Sequence, residues 1–264
     1  MTLSLHISPC PNDTFMFDAL VNGRIDCGDL RFEVEYHDIE ALNRAAAEGR
    51  ADITKISYAV LPGIREQYAL LDSGSALGRG NGPLLVGRAG ASHPVGSVAV
   101  PGLHTTAHAL LRRLHPELHD LRPLLFSEIA GAVARGEVDA GVLIHEGRFV
   151  YRRQGLELLD DLGLSWERTT GLPLPLGAIV MRRALPPELR RRVGELLRRS
   201  IAYARAHPDA SREYVRSHAR ELDARELDDR VIDAHIALFV NDYSLSLGAD
   251  GRRAVEELTG IAPE

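Results

Sequence analysis

The chain has 264 residues, 45% of them apolar and 26% charged, a make-up that supplies ample core and excludes a disordered or fibrous chain. Its 31 basic and 37 acidic residues give a formal charge of −6, which argues against a general nucleic-acid or acidic-membrane surface and leaves room for a local anion site. No run approaches the roughly 20 apolar residues that cross a bilayer, and MTLSLHISPCPND lacks the basic opening and long apolar stretch of a secretory signal. A cytoplasmic protein without membrane insertion is therefore expected. Cys10 and Cys27 form neither a disulfide framework nor a Cys-x-x-Cys pair, so reduced thiols are expected. The eleven histidines show no clustered ligand spacing, and no metal site is expected.

Residues 3–7 alternate as a strand, and Ser8-Pro9-Cys10-Pro11-Asn12-Asp13 breaks the pattern. A helix then opens at Thr14 and ends near Gly23. Asn12, Asp13 or Thr14 can cap it, leaving N–H groups aimed at a possible anion. LRFEVEYHD reads as a second strand, IEALNRAAAEG as a helix with Ile39, Leu42, Ala45 and Ala46 on one face, and ADITKIS as a third strand ending near Ser57. Strand, helix, strand predicts a parallel sheet with right-handed crossovers. The glycine-rich passage at 78–82 invites a phosphate-loop reading. No lysine-serine or lysine-threonine follows and no helix opens there. Gly80-Asn81-Gly82-Pro83 reads instead as a turn into Leu84-Leu85-Val86, a strand crossing between lobes.

The same order recurs about ninety residues later: SVAVP as strand, AHALLRRL as helix, LRPLLFS as strand, EIAGAVARG as helix, VDAGVLI as strand. EGRADITKIS at 48–57 lies beside RGEVDAGVLI at 135–144, each with Gly-x-x-Asp leading into the strand. Two similar α/β lobes follow, with functional groups at corresponding strand ends. Ligands of open α/β sheets sit at the carboxyl ends of the strands, so His145, ending the second repeat, is a candidate acid or base. A strand-capping histidine is its bland alternative. After it, residues 147–171 read as polar and partly turn-like, and Gly171 to Met181 as the second crossing. Two crossings make a hinge above a cleft. The rest is helical, from Pro186-Pro187, over 209–222 and 225–241, and after Asp250, packing on the first lobe. His207, His218 and His235 are assigned to surface or packing.

This organisation resembles the type II periplasmic-binding-protein fold: α/β, two lobes, a hinge and an interlobe cleft, with 1–86 and 178–264 in lobe 1 and 87–177 in lobe 2. SPCPNDTFMFDALVNG, DITKISY, SALGRGNGPLLV, PGLHTTA, AGVLIHEGRF and TGLPLPLGAIV resemble strings of the 1,4-dihydroxy-6-naphthoate synthases of the futalosine route to menaquinone. The resemblance spans essentially the whole chain. It implies a lyase without cofactor or metal that converts cyclic dehypoxanthinylfutalosine, a small anionic substrate, to 1,4-dihydroxy-6-naphthoate and a dihydroxyacetone fragment. It implies His145 as proton acceptor, and substrate held by Lys55, Ile56, Ser57, Thr106 and Ala107. Lys55 is the only lysine; its side chain either adds charge to the site or stays at the surface while its backbone meets ligand. Glu146 orients the imidazole or faces water. Cys10 reads as a buried filler, and His104 and Gly147 receive no role. A chorismate dehydratase of the same pathway and a non-catalytic solute-binding protein are the alternatives.

Overall fold

The structure is a computed structural model that describes residues 1–91, 95–145, 147–219 and 229–263. The first sheet begins with the expected unit: β1 (Thr2–Ile7), α1 (Pro11–Val21), β2 (Arg31–Tyr36), α2 (Ile39–Ala47) and β3 (Ile53–Ser57). β1 lies between β2 and β3, parallel to both. A short helix α3 (Leu61–Ile64) and strands β4 (Tyr68–Leu70) and β5 (Ala76–Gly78) follow.

The second unit repeats the first. It runs from β6 (Leu84–Arg88) through β7 (Ser97–Val100), α4 (Thr106–Leu114), β8 (Asp120–Pro123) and α5 (Phe126–Arg135) to β9 (Ala140–Leu143). β7 is again the central strand, parallel to β8 and β9. The repeated Gly-x-x-Asp has the same physical role in both halves. Gly49 and Gly136 take the left-handed conformation that ends a helix, with φ of 68° and 75°. Three residues on, a carboxylate locks the sheet. Asp52 Oδ2 accepts from Ser4 N and Oγ at 3.0 and 3.2 Å, and Asp139 Oδ2 accepts from Ser97 N and Oγ at 2.8 and 3.1 Å.

Each sheet is completed by a strand running against it. β11 (Leu174–Arg182) pairs antiparallel with β3, β4 and β5, and β6 pairs antiparallel with β9. The sheets are therefore mixed, in the orders β2-β1-β3-β11-β4 and β10-β6-β9-β7-β8. Main-chain pairing places Leu84 to Val86 in the second sheet and Leu174 to Gly177 in the first, so the chain passes between the sheets just before each of these stretches. Gly82 packs there against the backbone of Gly163: a Cβ on Gly82 would lie 2.2 Å from Gly163 Cα.

Residues 147–171, expected to be turn-like, contain α6 (Gly147–Val150), β10 (Leu156–Asp161) and α7 (Leu162–Thr170). β10 pairs on one side only, with β6, and three of its six residues are exposed, which hides the strand from a hydrophobicity reading. After β11 come α8 (Pro187–Ala206), α9 (Pro208–His218), α10 (Asp229–Phe239), α11 (Asp242–Leu245) and α12 (Gly248–Thr259). Of the helix expected over 225–241, residues 225–228 lie outside the described residues. Helices α8, α9 and α10 pack on α1. Caught between them and the sheet, α1 is buried from Pro11 to Leu20. It begins three residues before the expected Thr14, with Pro11 in its first turn, where a missing N–H costs nothing. Asn12, Asp13 and Thr14 are therefore first-turn residues and not caps. Among the described residues, no helix is long and apolar enough to cross a membrane.

Candidate active site

Between the lobes lies a cavity of about 600 Å³, its mouth included. Lobe 1 lines it with Asn12, Ile39, Lys55, Ser57 and Phe239, and lobe 2 with Thr105, Thr106, Ala107, His145 and Arg148. Five of the six residues expected at the site thus share one wall or the other. Ile56 is the exception: the alternation of β3 turns its side chain into the core with Tyr58 and Ala178.

His145 directly follows β9 and Ile144, at φ 51°, the one non-glycine residue with positive φ among the described residues. The turn aims its imidazole at the cleft, where two rings hold it. Phe126, opening α5 in the same lobe, meets it edge-on at 5.1 Å between centroids. His235 of α10, across the cleft, stacks on it at 6.0 Å with the planes 19° apart. Neither nitrogen of His145 is hydrogen-bonded to a described residue. Burial, assisted by the Lys55 ammonium and opposed by the Asp13 carboxylate, pushes its pKa down to about 4. Glu146, with its expected role, lies outside the described residues.

The Lys55 side chain is neither at the surface nor a free charge. It is buried in a close ion pair with Asp13, whose side chain is wholly enclosed. Asp13 also accepts from Ser8 Oγ at 2.7 Å and from Asn12 Nδ2 at 2.8 Å. Asn12 Oδ1 in turn accepts from His235 Nε2 at 3.0 Å. A polar chain thus runs from Lys55 through Asp13 and Asn12 to His235. Burial, then the neighbouring His145, Lys55 and Arg148, holds His235 well below the usual imidazole range. The sequence offered Asn12 and Asp13 only as helix caps and His235 only as packing; proximity of α1 to α10 was the missing information.

Ser57 is gripped by Asn43, which accepts from Ser57 N at 2.8 Å and donates to Ser57 Oγ at 3.0 Å. That leaves the serine hydroxyl proton for a ligand. The Thr106 hydroxyl is committed elsewhere: it donates to the Leu176 carbonyl at 2.8 Å and accepts from Ala59 N at 3.3 Å. What Thr106 and Ala107 offer is backbone. Thr105 caps α4 by accepting from His108 N at 3.2 Å, while the Thr106 and Ala107 N–H groups have no partner among the described residues and face the cavity from the positive end of the helix. Arg148 adds a second cation to the wall. Its Nη1 donates to the Gly82 carbonyl at 2.7 Å, and its Nη2 stands 4.0 Å from Asp161.

The cavity rim is latched by His104, for which the sequence suggested no role. Glu40 of α2 accepts from His104 Nδ1 at 2.6 Å and from His104 N at 3.1 Å, and Asn43 donates to the His104 carbonyl at 3.1 Å. Cys10 is buried and neither cysteine is in a disulfide. Among the described residues, the one cluster with metal-ligand geometry is His6, Glu35 and His37, none of which lines the cavity.

The family model for menaquinone biosynthesis matches residues 3–264. A 1,4-dihydroxy-6-naphthoate synthase of Thermus thermophilus is 49% identical over 257 residues, covering 97% of this chain and 92% of the relative. One from Streptomyces coelicolor is 44% identical over 263 residues, covering 97% and 91%. A crystal structure of an Archaeoglobus fulgidus protein superposes with a TM-score of 0.88 at 34% identity, over 97% of this chain and 95% of that one. The alkanesulfonate-binding protein of Xanthomonas axonopodis, solved with MOPS bound, superposes with a TM-score of 0.68 at 14% identity, over 97% and 90%, and shares the fold. With its two-lobed solute-binding architecture and this similarity along nearly its whole length, the chain belongs to the menaquinone biosynthesis family, among the 1,4-dihydroxy-6-naphthoate synthases.

Proposed function

We propose that the chain converts cyclic dehypoxanthinylfutalosine to 1,4-dihydroxy-6-naphthoate in the cytoplasm, with His145 as proton acceptor. The observation that carries this reading is an imidazole kept neutral at the cleft, opposite a serine hydroxyl and beside two open N–H groups. A substrate carboxylate fits the Thr106 and Ala107 N–H pair, where the dipole of α4 and the Arg148 guanidinium both favour negative charge. Ser57 donates to a further substrate oxygen, and Ile56 serves through its backbone by fixing Lys55 and Ser57 on the cleft side of β3.

In this pose His145 takes a hydroxyl proton from the sugar-derived part of the substrate. The oxygen's electron pair becomes the carbonyl of the departing dihydroxyacetone fragment. The pair of the broken carbon–carbon bond passes into the bicyclic skeleton, and proton return leaves the aromatic diol. Aromaticity makes the step downhill, and the protein supplies position and a proton acceptor.

Purified protein incubated with cyclic dehypoxanthinylfutalosine is expected to yield, by mass spectrometry, 1,4-dihydroxy-6-naphthoate, with no conversion of chorismate. His145→Ala should slow turnover by about 10²- to 10⁴-fold. Wild-type rates in that variant would remove His145 from the mechanism, and chorismate dehydration without naphthoate formation would overturn the substrate assignment.

A further inference from the structure

A carboxylate or carbonyl commonly fixes a catalytic imidazole through one ring nitrogen, and none among the described residues does so for His145. Here both nitrogens stay clear of the described residues, and the ring packs between Phe126, edge-on, and His235, stacked. One packing partner, Phe126, travels with lobe 2, because it opens α5 on the same sheet as β9. The other, His235, travels with lobe 1, because α10 packs on α1. The stacked pair therefore spans the two lobes.

His235 is itself firmly placed. Its side chain is fully enclosed, its ring also packs on Phe239 at 4.6 Å between centroids, and its Nε2 proton is directed to Asn12 Oδ1. Because Asn12 uses its amide nitrogen on Asp13, it presents only an acceptor to His235, which fixes the His235 tautomer with the proton on Nε2. The Lys55–Asp13 pair anchors the far end of this chain inside lobe 1.

We infer that His235 is a positioning residue that aligns the His145 ring when the cleft closes, so that the proton acceptor is assembled from both lobes and is correctly oriented only around a trapped substrate. This rests on the reading of His145 as proton acceptor. Among the described residues, the groups that set the charge around the pair are Lys55 and Asp13 from lobe 1 and Arg148 from lobe 2. The two imidazoles remain neutral between them. A protonated His235 would place a cation against His145, so the same burial that keeps His235 uncharged protects the basicity of its neighbour.

The test uses the full chain and two variants, His235→Ala and His235→Phe, with kcat, KM and the pH profile of kcat/KM measured for each. His235→Ala opens one face of the His145 ring to water. Its kcat should fall by about ten- to a hundredfold with KM changed less than about threefold. Its acid limb should lie above that of the parent, moved towards the ordinary imidazole value as the burial that depresses the His145 pKa is relieved. His235→Phe keeps a flat ring in the same place, so it should recover most of the lost kcat and return the limb towards that of the parent. A kcat loss shared by both variants with an unmoved limb would reduce His235 to packing and overturn the inference, as would wild-type behaviour of His235→Ala. The base assignment is judged separately on His145→Ala: turnover surviving there sinks that assignment, whereas an inactive His145→Ala beside an unaffected His235→Ala sinks only the positioning role.

Discussion

His145 combines backbone strain with an aimed side chain. A left-handed conformation costs a residue with a Cβ about 1–2 kcal/mol, and glycine is free of that cost. His145→Gly should therefore be more stable than His145→Ala by roughly 1 kcal/mol, about 2 to 4 °C in melting temperature, although both lose activity. Equal melting temperatures would show that the turn relaxes once the ring is gone. The depressed pKa has two consequences with opposite reach. The folded state keeps His145 neutral down to about pH 4, whereas an unfolded imidazole takes a proton near ~6.5, so stability is lost as pH falls through that window. In the complex, a bound carboxylate favours the imidazolium and raises the pKa. The acid limb of kcat should accordingly lie above that of kcat/KM, and coincident limbs would place the substrate's charge away from His145. The string containing His145 marked this residue. The rings that orient it were not legible, because Phe126 and His235 lie 19 and 90 positions away and meet it only through the fold.

The strand-helix-strand repeat was legible as elements because its hydrophobic periods and glycine stops are local. The Gly-x-x-Asp likeness proved to be a shared lock between β1 and β3 in one sheet and between β7 and β9 in the other, through Ser4 and Ser97. What escaped was β10, an edge strand with little to bury, and the true start of α1, where the two prolines drew attention away from a helix that begins on the second. In the glycine-rich crossing the purpose of Gly82 is steric. Gly82 and Gly163 touch backbone to backbone, and a Cβ on Gly163 would lie 2.6 Å from Gly82 Cα. Gly82→Ala should thus destabilise the protein by about 1–3 kcal/mol by overpacking, and should raise KM as well, because the Gly82 carbonyl holds Arg148. Unfolding and steady-state assays would check both, and a variant with parental stability would mean that α7 can yield there.

At the scale of the whole molecule, α2 of one lobe meets the loop before α4 of the other. Glu40 holds both the ring and the backbone of His104, and a Cβ on Gly102 would lie 2.3 Å from Glu40 Oε2. The contact joins the two lobes, and neither Glu40 nor His104 lines the cavity. Glu40→Ala should raise KM by about three- to tenfold, since one charge-assisted hydrogen bond contributes about 1 kcal/mol or more. Small-angle scattering of the ligand-bound variant should also report a larger radius of gyration than the parent, and an unchanged KM would assign closure to the ligand alone.

The placement of β11 also sets an order of assembly. Residues from β6 to α7 contain every strand of the second sheet in one continuous stretch, so that half can complete itself as soon as it leaves the ribosome. The first sheet has no such freedom: β3 and β4 are bridged by β11, which is made about a hundred residues after β4, and α1 stays uncovered until α8 to α10 arrive. The half that begins the chain is thus the last to close, and it waits with an unpaired edge and a bare apolar helix for the nascent chain to come back to it.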